Sequence, residues 1–206
     1  MAFFLVLSLN FGQVLAHSFY SFPEVSQGQV NEALQRIVPV RFLPSHPLYF
    51  LIITKEFFAR LARPSAEKKA SFDFVVAGKK LKETHMELEK NDLKNTRLGL
   101  LRYSRQLEKF ADQFEKTKSQ NQDMTSLALE VAEGLKDQET LIISIFNKYR
   151  EKEKFDIDFD ISFDDAFSNF GRSVFLVDNI KPGLKDRYKS ITGDGNIPAP
   201  TYPTPF

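Results

Sequence analysis

The chain reads as a mainly α protein, built around a long heptad-patterned helix or helical hairpin that packs with shorter helices. Three observations point there. Residues 66–154 contain no proline and are rich in Lys, Glu, Leu, Gln and Asp, a composition that suits uninterrupted helix. Within that stretch every seventh residue from Met86 runs Met86, Leu93, Leu100, Leu107, Phe114, Asn121, Ala128, Leu135, Ile142, Tyr149. A second series falls three positions later, with Tyr103, Phe110, Met124, Val131 and Ile145 apolar and Thr96, Thr117 and Gln138 polar. Together these form a seam that holds one register for about nine heptads.

Such a stripe needs another helix to cover it. The expected interaction seam is Met86, Leu93, Leu100, Tyr103, Leu107, Phe110, Phe114, Asn121, Met124, Val131, Leu135, Ile142 and Ile145. Asn121 in the first series, and Thr117 and Gln138 in the second, weaken a coil while fixing its register and partner number. Phe74, Leu81 and Leu88 form a series two residues out of step with Leu93 onward, so a phase slip falls near Lys90. The polar run Lys116 to Asp123 is the one place in the main seam for a hairpin turn. Left continuous, some 75 residues make a rod on the order of 110 Å. The unbroken register favours the rod, and the size of a compact domain favours the hairpin.

Shorter elements precede the seam. Residues 1–16 form an apolar run closing on Val14-Leu15-Ala16, which reads as a secretory signal cut before His17, although no Lys or Arg precedes it. The expected location is therefore extracellular. Residues 17–65 hold short helices and Pro-rich connections: Val30, Ala33, Leu34, Ile37 and Val38 share a helical face that Pro39 ends. Leu48 to Ala62 forms a second helix between Pro47 and Pro64. It is too short and, with Lys55 and Glu56, too charged to span a membrane, so it reads as buried or interfacial.

Beyond the seam, residues 155–192 read as an extended strap followed by a C-terminal helix. Phe155, Ile157, Phe159, Ile161 and Phe163 alternate with Asp156, Asp158 and Asp160, the period of a strand. Ser162 and Asp165 resemble a capping box that restarts helix to about Asp178. Residues 193–206, with Pro198, Pro200, Pro203 and Pro205, read as a disordered Pro-rich tail.

Candidate chemistry is sparse. The chain has no cysteine, hence no disulfide, thiol nucleophile or Cys-type zinc site, and no Asn-x-Ser/Thr sequon. The aspartates 156, 158, 160 and 164 imitate a calcium loop, but Ile161 and Phe167 stand where its glycine and glutamate belong. His17, His46 and His85 are too far apart for a local metal pair, and His85 with Glu89 reads as a solvated helix-face pair. No Gly-x-Ser-x-Gly turn or complete dinucleotide fingerprint is present, so no enzyme, catalytic residue, metal or cofactor is expected.

A net charge of +1 gives no overall reason to hold nucleic acid. Lys55, Arg60, Arg63, Lys68 and Lys69, interleaved with Phe57, Phe58 and Leu61, could meet an anionic lipid surface, but Glu56 and Glu67 interrupt the run and favour an ordinary wet helix. The expected function is a secreted, non-enzymatic helical protein that associates with a protein partner or a second copy of itself through the seam. The alternative is a carrier whose 21 phenylalanines enclose a lipid or other small apolar ligand.

Overall fold

A computed structural model describes residues 20, 22–153 and 155–183. The described residues form six helices and no strand: α1 (Gln27–Arg36), α2 (Tyr49–Leu61), α3 (Ala66–Glu89), α4 (Leu93–Ser119), α5 (Thr125–Lys152) and α6 (Ile157–Asp178). The signal and tail readings, residues 1–16 and 193–206, lie outside the described residues.

The heptad region is three helices. α3 ends at a Schellman turn in which Asn91 adopts the left-handed conformation, φ 62°. Its N–H donates to the Leu88 carbonyl at 2.9 Å, and the Asp92 N–H donates to Glu87 at 3.0 Å. Asp92 then caps α4, accepting from the Asn95 N–H at 3.0 Å. The phase slip near Lys90 is thus a reversal of the chain. The second reversal follows Ser119, where Asn121 is again left-handed, φ 54°. This residue, expected as a polar register pin within a coil, is exposed and stops a helix. The continuous rod is therefore corrected to two chain reversals, of which the first pairs α3 with α4 and the second brings α5 back onto α3. The register survives because α4 and α5 both turn their apolar stripes toward one interior.

α3 and α4 make the most extensive pairing, α6 packs on α4, α5 packs on α3, and α1 packs on α5. Leu81, Leu88, Leu100, Leu107, Phe110 and Phe114 are fully buried between them. Truncating any one would cost ~2–5 kcal/mol. Close approach of α3 to α4 is set by Gly99: a Cβ there would stand 2.3 Å from Thr84 Oγ1.

The expected Phe/Asp strand is helix. α6 begins at Ile157, with Asp156 as its cap accepting from the Phe159 N–H at 3.1 Å. Ser162, expected to restart helix, lies inside it and donates to the Asp158 carbonyl. Phe159, Phe163, Phe170 and Val177 also fit a helical stripe, and burying them against α4 and α5 outweighs the two-residue alternation; Phe155, Ile157 and Ile161 are left exposed. Burial alone would raise the Asp156 carboxyl, but hydrogen bonds from Tyr149, the Phe159 N–H and Arg97 hold it below the usual range. Arg97 also reaches Asp158, and Arg150 pairs with Asp160, so these aspartates are bound to guanidinium groups. Negative charge in this first turn also suits the helix dipole.

Above α6 an aromatic cluster closes the core. Tyr149 stacks on Phe159 with ring centroids 3.7 Å apart, Phe146 tilts on Phe163 at 4.7 Å, and Tyr20 and Phe22 pack edge-on against Phe163 and Phe167.

Candidate functional site

α2 is mounted inside out. At ~100° per residue, Phe50, Ile53, Phe57 and Leu61 share one side with Leu51 and Phe58 flanking them, while Tyr49, Glu56, Arg60 and Arg63 occupy the other. An ordinary surface helix buries its apolar side. Here that side faces solvent, with Phe57 63%, Phe58 61% and Leu61 67% exposed, and the polar side faces α3. At ~200 Å² per large side chain, the six apolar residues expose on the order of 700 Å².

The local sequence explains the mounting. Pro47 and Pro64 bracket the helix, and the Leu48 N–H finds His46 Nδ1 at 3.1 Å before the first turn. The side facing the bundle then enters a polar cluster. Tyr49 Oη donates to Glu83 Oε2 at 2.5 Å and accepts from Lys80 Nζ at 2.8 Å. Glu56 lies 2.5 Å from Lys79 Nζ and 2.8 Å from Lys80 Nζ. At the far end Arg60 Nε meets both oxygens of Asp73, which also accepts from Gln106 on α4 at 2.9 Å. At the near end the Ser45 N–H donates to Glu87 at 3.1 Å. Such buried ion pairs add little net stability but fix geometry, because each group left unpaired would be costly.

The electrostatics follow burial. Desolvation pushes the Glu83 carboxyl above its usual range against the pull of Lys80, Tyr49 and Lys79. The Tyr49 hydroxyl is raised by desolvation and by the Glu83 charge, so it stays a proton donor. The arrangement can hold a helix in a fixed orientation.

The expected seam residues are spent inside the chain. Leu100, Tyr103, Leu107, Phe110, Phe114, Met124, Val131, Leu135, Ile142 and Ile145 are all buried in its own core, and Met86 and Leu93 are half-buried. Thr117 is buried and bonds to the Gln113 carbonyl, while Gln138 accepts from Tyr103 Oη at 3.0 Å across α4 and α5. Their polar groups are satisfied within one chain and need no second coil. His85, expected on a solvated face, is 2% exposed and lies 3.5 Å from Ser144 Oγ. Burial and the neighbouring Lys148 push it down to about 4, against the pull of Glu89.

Phe57, Phe58, Leu61, Lys55 and Arg60 stand out in the sequence, whereas nothing there marks Tyr49, Glu56, Asp73, Lys80 and Glu83 as the parts that aim them. The spacing of Tyr49, Glu56 and Arg60, seven and then four residues apart, puts those three on one side of a helix and says no more. Comparison with family models, curated proteins and solved structures finds no match.

Proposed function

We propose that the chain is a non-enzymatic helical module that works by association, and that its association surface is the outer face of α2. One observation carries this reading: an apolar helix face turned to solvent and held there by buried ion pairs. An apolar patch of this size on a protein surface marks an interaction site more often than chance exposure. The heptad seam contributes indirectly, by building the rigid body on which α2 is mounted. The N-terminal run ending in Val14-Leu15-Ala16 supports placing this activity outside the cell.

The carrier reading has less support. Its phenylalanines would have to line a cavity, whereas Phe110, Phe114, Phe159, Phe163 and Phe170 are packed against other side chains, and the clefts near Phe42 and Ile161 are open to solvent. The test is the double variant Phe57→Ser with Phe58→Ser. Light scattering on the eluting chain and vesicle flotation should reveal at least one association of the natural protein that the double variant loses while keeping its helical spectrum. A natural chain that is monomeric and indifferent to vesicles contradicts the proposal.

A further inference from the structure

Resting on that reading, we propose that the occupant of the α2 face is an anionic lipid surface, with α2 lying in the headgroup region and Phe50, Ile53, Phe57, Phe58 and Leu61 directed into the acyl boundary. Of the described residues, no helix is long and apolar enough to cross a membrane, and α2 has 13 residues, so the contact is interfacial.

Charge decides between a lipid surface and a second copy. Glu56, the one acidic residue of α2, seemed from sequence to break the basic run. It is turned inward onto Lys79 and Lys80, which removes it from the outer surface. What borders the apolar stripe on its open flank is basic: exposed Lys55 stands beside Leu51 and Phe58. Arg60 is tied to Asp73 and Arg63 lies over the Phe72 ring, so Lys55 is the charge left outward on α2. Two copies pairing α2 antiparallel about its middle would bring Lys55 close to its own counterpart with no carboxylate of α2 to offset it. Anionic headgroups offset it directly.

The polar cluster adds preorganisation. An isolated helix of this length would be marginal in water and would have to be ordered on binding. α2 is already folded and aimed by the contacts of Tyr49, Glu56 and Arg60, so little ordering remains to oppose binding.

The test is flotation of the full chain with vesicles of phosphatidylcholine alone and of phosphatidylcholine mixed with phosphatidylglycerol, at low and high salt. The expected result is binding to the mixed vesicles that weakens with salt and on removal of phosphatidylglycerol. Phe57→Ser with Phe58→Ser should lower the affinity about tenfold or more, and Lys55→Glu should lower it only on the anionic vesicles. Leu129→Ser, at an exposed site on α5, should leave binding unchanged. All four sites are exposed, so the variants keep the fold, which circular dichroism verifies. Equal binding to neutral and anionic vesicles, or binding that survives the double phenylalanine change, overturns the inference. Absence of flotation together with a dimer that the same variant dissociates overturns the lipid assignment and leaves the association reading standing. Absence of both overturns the two together.

Discussion

Arg60 on α2 sets its Nε 2.8 Å and 3.0 Å from the two carboxylate oxygens of Asp73 on α3, and Asp73 is wholly shielded from solvent. A buried carboxylate with a single cationic partner makes that partner hard to remove. Arg60→Met should destabilise the fold by ~2–4 kcal/mol, because Asp73 keeps only the neutral Gln106 amide. Asp73→Asn removes the charge as well as the pairing and should cost less. Urea titrations of both variants check the order, and a more damaging Asp73→Asn contradicts it.

His85 makes stability depend on pH. Its folded value is depressed to about 4 from 6.5, so its contribution is present above 6.5 and is lost as pH falls toward 4. Between pH 7 and 4.5, wild type should therefore lose ~2–3 kcal/mol relative to His85→Leu, which has nothing to protonate there. Denaturant midpoints that fall in parallel for the two proteins would count against burial of a neutral imidazole.

Two glycines should respond oppositely to alanine. Gly99 faces Thr84, whose Oγ1 and Cβ would lie 2.3 Å and 3.0 Å from a new Cβ, so Gly99→Ala should cost ~1–3 kcal/mol. Gly171 in α6 has open space, and Gly171→Ala should stabilise by ~0.5–1 kcal/mol through helix propensity. Thermal unfolding of the pair tests the packing of α3 on α4, and a neutral Gly99→Ala would mean the two helices stand further apart.

Asn91 and Asn121 hold left-handed conformations that end α3 and α4. Replacing either with Ala should cost ~1 kcal/mol, and Gly should be neutral or slightly stabilising. In a continuous helix the order reverses, since alanine is the best helix former and glycine among the worst. The ranking of Ala and Gly at Asn121 thus reports on the second turn directly.

Much of the helical outline was legible because it follows from short-range chemistry. Pro39, Pro47 and Pro64 bound α1 and α2, and the step between Leu88 and Leu93 shows as a break in register, though not by itself as a turn. The rest depended on partners distant in sequence. Phe155 to Phe163 satisfies a strand period and Phe159 to Phe170 a helical one, and only the presence of α4 and α5 to cover Phe159 and Phe163 decides for helix. Periodicity drew the apolar stripe of α2 but could not say which side meets the bundle. That was decided by Asp73, Lys80 and Glu83 on α3, ordinary charged residues until α2 is laid beside them.

The heptad-patterned stretch folds back within one chain where α3 meets α4, which leaves the outer face of α2 as the surface proposed for association. The chain has no cysteine, so a spin label at each of Lys68→Cys and Lys116→Cys, both exposed, gives a single distance by pulsed electron resonance. The folded hairpin predicts ~20–30 Å between labels, a helix–helix spacing plus the two linkers. A separation of ~70 Å, that of a continuous helix, would rule out the reversal at Asn91.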